Sequence, residues 1–197
     1  MKVPPDLIKE LRGKTGAGIM DCKKVLEKAD GDVDKAIKLL RQHGMVKAAK
    51  KTSREAREGL IASYIHPGGR IGVLVEINCE TDFVAKTEDF KQMVKDITMH
   101  IAACEPAYIQ SKDVPSEMVE QEKEVVKSEF SGKPEQVIEK IAKGRLEKFY
   151  MQTCLMEQPF VKEEDITVHE YIASCAAKLG ENVKVKRFTR FQLGEET

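Results

Sequence analysis

The chain has 197 residues, 41% of them hydrophobic, and its 33 basic and 33 acidic side chains cancel to a formal net charge of zero. That size and apolar content suit one packed domain or two small ones, and the balanced charge argues against a general nucleic-acid binder, which carries a basic excess. No apolar run reaches the roughly 20 residues of a membrane span, and the charged start Met1-Lys2-Val3-Pro4-Pro5-Asp6 lacks the apolar stretch of a secretory signal.

Up to about His43 the pattern is that of three short helices. Leu7, Ile8 and Leu11 form one apolar stripe. Cys22, Val25, Leu26 and Ala29 form a second, and Val33, Ala36, Ile37 and Leu40 a third, each at the spacing of one helix face. The stretches 13–18 and Asp30-Gly31-Asp32 separate them, with Asp32 suited to cap the third helix and Gly44 to stop it. Residues 1–44 are therefore expected to be a three-helix module. Residues 45–58 carry Lys47, Lys50, Lys51, Arg54 and Arg57 among small residues, which suits a solvated, partly helical linker. Without an aromatic to stack on bases, that reading is favoured over an RNA-contacting arm.

Residues 59–197 read as an α+β core. Residues 60–65 and 71–79 are rich in β-branched side chains, and His66-Pro67-Gly68-Gly69-Arg70 supplies a turn between them. The second strand is apolar almost throughout, so it is expected to be central and covered on both faces, with Gly72 marking close approach of another backbone. A helix follows, carrying Phe90, Met93, Val94, Ile97, Ile101 and Cys104 at helical spacing. Residues 116–130 and 134–156 predict a helical hairpin turned by Ser131-Gly132-Lys133, with Pro134 suited to the first helical turn. Thr167 and Glu170 form a capping-box pattern for a last helix stopped by Gly180, and residues 183–193 alternate like a strand returning to an antiparallel sheet.

The candidate chemistry is sparse. Gly13-Lys14-Thr15 resembles the end of a phosphate loop, but the first glycine of such a loop is replaced by Ile8 and a helix precedes it. The cysteines Cys22, Cys79, Cys104, Cys154 and Cys175 are scattered, as reduced intracellular thiols are. His100 and Cys104 lie one turn apart, but two ligands make no metal site. No nucleophile elbow is present and no pair of acids is singled out; together with the failed phosphate loop and metal pattern, this leaves no enzyme, cofactor or metal expected. The unusual feature is Cys79-Glu80-Thr81-Asp82-Phe83-Val84-Ala85, where a buried strand runs into an acid beside a bulky aromatic. Two readings stand: Asp82 caps a helix while Phe83 packs in the core, or the pair is an apolar wedge with an acid at its tip. Pattern alone favours the first.

Several motifs resemble the elongation factor Ts family over essentially the whole chain. They are Thr15-Gly16-Ala17-Gly18-Ile19-Met20-Asp21-Cys22-Lys23-Lys24, Lys47-Ala48-Ala49-Lys50-Lys51, the stretch 72–85, Gly144-Arg145-Leu146-Glu147-Lys148-Phe149-Tyr150, Glu157-Gln158-Pro159-Phe160-Val161, and the C-terminal stretch 187–195. The resemblance implies a translation factor that promotes release of GDP from elongation factor Tu, and the unpaired cysteines suit a cytoplasmic protein. It implies that the N-terminal helices are a ubiquitin-associated-type module docking on that partner through Arg12, Ile19 and Met20. It further implies that Thr81, Asp82, Phe83 and Val84 intrude near the partner's Mg²⁺ site, with His66 as a further contact. Longer members carry two copies of the core and an added C-terminal helix. This chain has one copy, so a homodimer is expected, formed through a sheet edge near Gly72 or through the C-terminal strand.

Overall fold

The computed structural model describes residues 3–49 and 54–195. Lys50 and Lys51 of the basic stretch lie outside the described residues. The elements are α1 (Pro5–Thr15), α2 (Ile19–Lys28), α3 (Val33–Ala49), β1 (Glu58–Ile65), β2 (Ile71–Cys79), α4 (Asp82–Ala85), α5 (Glu88–Cys104), α6 (Ser116–Glu129), α7 (Glu135–Thr153), β3 (Pro159–Phe160), β4 (Glu163–Thr167), α8 (Val168–Leu179) and β5 (Lys184–Gln192). The fold is α+β, with one antiparallel sheet in the order β1-β2-β5 and a small β3-β4 pair. By contacts the chain forms two compact units. One comprises Met1–Ile61, Glu76–Val94 and Glu170–Lys186, the other Ala62–Val75, Lys95–His169 and Arg187–Thr197.

In the first unit the three apolar stripes close on one another. Leu11, Cys22, Val25, Leu26, Ala29 and Ala36 are buried together, and Leu7, Ile8, Val33, Ile37 and Leu40 pack around them. Complete burial contributes roughly 1.5–3 kcal/mol per large aliphatic side chain, and in so small a cluster that burial is the main cohesive term. Asp32 caps α3, its Oδ1 accepting from the Lys35 amide at 2.9 Å. Gly44, expected to stop α3, instead lies inside it, where a Cβ would be 3.6 Å from Ala177 Cβ on α8. Helix formers after Gly44 (Met45, Lys47, Ala48, Ala49) carry α3 on. Gly13, Lys14 and Thr15 fall in the last turn of α1. There Lys14 pairs with Glu10 and the Thr15 hydroxyl donates to the Leu11 carbonyl.

Two expectations for β2 need correction. It is the central strand, yet Leu74 is 48% exposed, so one face of its first half is open. Hydrophobicity alone does not distinguish a covered face from an open one. The backbone approach belongs to Gly59 rather than Gly72. A Cβ on Gly59 would fall 2.1 Å from the Ile77 carbonyl oxygen, at φ +143°, whereas one on Gly72 would meet only the Ile65 side chain. As part of the central strand, Gly72 also lies on no sheet edge.

The second unit is built on the latter half of α5, where Ile97 and Ile101 are fully buried. His100, also fully buried, pairs through Nε2 with Gln158 Oε1 at 2.9 Å, while its Nδ1 accepts from the Val161 amide at 3.2 Å. Gln158 in turn donates to the carbonyls of Cys104 and Gln152. Both ring nitrogens of His100 are thus engaged, and burial holds the imidazole below its ordinary pKa. The β3-β4 pair beside this network was not anticipated, because its two-residue first strand is too short to show periodicity. The α6-α7 hairpin has a thin apolar seam, with Val126 the buried residue of α6. Arg145 of α7 bridges to Glu122 at 2.9 Å and to Glu129 at 3.0 Å on α6. α7 ends at Thr153, whose carbonyl accepts from the amides of Ala107 and Tyr108 instead of continuing the helix.

Candidate functional site

The site begins where β2 leaves the core. Cys79 is buried, and its thiol donates to the Thr81 carbonyl at 3.2 Å. Burial, reinforced by the nearby Glu181 carboxylate, pushes that thiol up to about 11, so it keeps its proton. Thr81 then turns the chain with extended backbone and becomes the N-cap of α4. Its hydroxyl oxygen accepts from the Val84 amide at 3.4 Å. Asp82, expected to be the cap in the first reading, is instead the first helical residue. A threonine one position earlier already satisfies the free amide.

Asp82 turns to Lys86 one helical turn on, with Oδ2 2.6 Å from Nζ. The hydrogen bond to Lys86 holds the Asp82 carboxyl below the usual carboxylate range and raises the Lys86 ammonium in return. Both groups are exposed, so such a pair adds little to stability; its effect is to aim the carboxylate. Phe83 is 79% exposed, which overturns the reading that it packs in the core. The core position goes to Phe90, seven residues later and fully buried. Between them Thr87 joins the two helices, donating from its hydroxyl to the Val84 carbonyl and accepting from the Phe90 amide. A four-residue helix cannot hold itself together in water. Here Ala85 is 5% exposed and roots α4 from below, so Phe83 stands out from a fixed base.

The other expected contact residues are exposed too. Ile19 and Met20 open α2 with 55% and 63% of their surface free, and Arg12 lies exposed on α1. These three belong to the same compact unit as residues 81–84. His66, in the β1-β2 turn, belongs to the other unit and pairs there with the Tyr64 hydroxyl at 3.1 Å. Among the described residues no group of three or more metal-ligating side chains converges, and no helix is long and apolar enough to cross a membrane.

The sequence matches the family described as Elongation factor TS over residues 27–195. The chain belongs to the elongation factor Ts family. The elongation factor Ts of Carboxydothermus hydrogenoformans is 55% identical over 195 residues, 98% of this chain and 90% of that protein. That of Thermodesulfovibrio yellowstonii is 55% identical over 99% of this chain and 98% of its own length. That of Fervidobacterium nodosum is 52% identical over 99% and 100%. The chain is accordingly a nucleotide exchange factor for elongation factor Tu, acting by binding and not as an enzyme. Two residues at the Thr81–Val84 turn escaped sequence reasoning. Lys86 was within reach, since an acid and a base four apart on a helix face each other. Glu181 was not, because it meets Thr81 from 100 positions away and no local pattern marks it.

Proposed function

We propose that this exchange factor works through a two-part contact. In this reading residues 1–44 dock on the nucleotide-binding domain of elongation factor Tu through Arg12, Ile19 and Met20. Residues 45–58 connect them to the core, 59–197. Thr81, Asp82, Phe83 and Val84 then intrude near the partner's Mg²⁺ site, and His66 adds a further contact. The observation that carries the proposal is Phe83, a large apolar side chain left 79% exposed on a short helix whose base is buried. Phenylalanine is among the residues enriched at the centres of protein–protein contacts, and an anchored one needs little ordering when a partner covers it.

The physical requirement is differential binding. A factor that binds the nucleotide-free partner better than the GDP-bound one must weaken GDP binding by the same ratio. GDP is held largely through its phosphates and a bridging Mg²⁺. Phe83 entering a gap beside that site would shift the elements that hold the ion, while Asp82, aimed by Lys86, would perturb its coordination indirectly. We place this activity in the cytoplasm. Stopped-flow release of fluorescent GDP from elongation factor Tu, with and without the chain, tests the whole scheme. Acceleration should be abolished when Asp82 and Phe83 are both replaced by alanine; acceleration equal to wild type would end the proposal.

We further propose that the chain is a homodimer. Ile65, Leu74 and Phe191, on three neighbouring strands, are 65%, 48% and 69% exposed. Exposed apolar side chains on adjacent strands of one sheet suit a second copy of the same surface, which a two-fold axis brings together. Sedimentation equilibrium should give twice the chain mass for wild type and the single mass for Phe191→Asp. A wild-type monomer would refute it.

A further inference from the structure

The turn that presents Phe83 is gripped from a distant part of the chain. Glu181 follows α8, and its Oε2 accepts from the amides of both Glu80 and Thr81 at 3.0 Å. Its Oε1 accepts from the Thr81 hydroxyl at 2.6 Å. The grip is reciprocal: Glu80 Oε1 accepts from the Asn182 amide at 2.6 Å. Asn182, 3% exposed, donates from its side chain to the Arg54 carbonyl at 2.7 Å, and the Arg54 guanidinium lies 3.5 Å from Glu80 Oε2. Two short segments thus exchange backbone amides for each other's carboxylates, and every such bond is charge-assisted.

We infer that Glu181 is a positioning residue for nucleotide release: it locks the Glu80-Thr81 backbone so that Phe83 is presented in one fixed direction. The inference rests on the wedge reading above. The Thr81 hydroxyl has one proton. Given to Glu181, it leaves a lone pair facing the Val84 amide, which is the bond that starts α4. Remove the acceptor and the hydroxyl is free to rotate, two amides at the strand end lose their partner, and α4 keeps only the burial of Ala85 and the Thr87 link to α5. The fold would survive, because the core residues of the unit do not depend on this contact. The direction of Phe83 would not.

Glu181→Gln is the discriminating variant. An amide puts an NH₂ group where a carboxylate has an oxygen. In one orientation that group faces the two amides; in the other it faces the Thr81 hydroxyl and competes with Val84. Neither restores the three bonds. The assay is GDP release from elongation factor Tu carrying fluorescent GDP, followed across a range of full-length factor. Glu181→Gln should lower the maximal release rate roughly tenfold and leave the half-saturating concentration within about twofold, since docking through Ile19 and Met20 is untouched. Thr81→Val should show a similar loss, and the double variant should be no worse than the poorer single one, as expected of one shared interaction. A Glu181→Gln maximal rate within twofold of wild type overturns the inference. So does a loss confined to half-saturation, or a variant that no longer melts cooperatively, which would make Glu181 part of the folding core. Phe83→Ala in the same assay separates the two levels. Normal release with it ends the wedge reading itself. Slow release with it, beside normal release with Glu181→Gln, ends only the positioning role.

Discussion

Replacing Phe83 with alanine should slow nucleotide release without harming the fold. Phe83 is 79% exposed in the free chain, so its removal opens no cavity, and a surface substitution of this kind changes stability by no more than about 0.5 kcal/mol. The effect must then appear in the complex. Covering a phenylalanine side chain contributes roughly 1.5–3 kcal/mol, and each 1.36 kcal/mol is a factor of ten in rate. The expected loss in maximal GDP-release rate is therefore about 10- to 150-fold. Stopped-flow fluorescence at saturating factor measures it, and a urea titration beside it should show an unchanged midpoint. Release as fast as wild type would refute the reasoning. A lowered urea midpoint would also count against it, because it would mean that Phe83 packs within the free chain.

The same physics extends to other positions. Ile19→Ala combined with Met20→Ala removes two half-exposed side chains worth about 1 kcal/mol each on burial; the half-saturating concentration in the release assay should rise roughly 10- to 30-fold with the maximal rate kept. His100 supplies a pH dependence. Its imidazole is held below its ordinary 6.5 by burial, so the unfolded chain takes up a proton from pH 6.5 downward while the folded one resists. That contribution is fully present above pH 6.5 and is lost as pH falls toward the folded value, at up to about 1.4 kcal/mol per pH unit. Urea midpoints between pH 7.5 and 5.5 should show this slope in wild type, and less of it in His100→Gln. Gly59→Ala should cost about 2–5 kcal/mol, since its Cβ meets the Ile77 carbonyl oxygen and its φ is positive; an unshifted thermal midpoint would show that the strand yields.

What could be read in advance followed periodicity. The stripes of α1 to α3 and the Phe90–Ile101 face of α5 recur every three or four residues, and each closed into a core. The hairpin turn and the returning strand were legible because their turn residues and alternation are local. What escaped depends on contacts between distant segments. Gly44 read as a helix stop because glycine often is one, but packing on Ala177 lets it sit inside α3. Gly72 is the visible gap in an apolar run, while the glycine under real steric demand, Gly59, lies at the start of β1 and meets residues 18 positions away or more. The candidate site shows both behaviours at once. Its residues stand together in the sequence, but whether Phe83 points inward or outward is decided by Thr81 taking the cap and Phe90 taking the core.

That outward direction also limits what the wedge can do alone. A thousand-fold acceleration of GDP release asks for about 4 kcal/mol, and one phenylalanine supplies roughly 1.5–3. The shortfall of about 1–2.5 kcal/mol must come from contacts that also favour the nucleotide-free partner, because uniform binding to both states shifts nothing. Ile19 and Met20, whose docking is expected to hold both states alike, do not supply it, so it falls to the other residues of the wedge, Asp82 first. Rigidity between the docking surface and the wedge is then part of the mechanism: a loosely held Phe83 would let the helices dock without forcing the site open. A clamp of charge-assisted bonds behind Thr81 meets that demand at little cost, since it orders a turn already fixed on one side by β2 and on the other by Phe90.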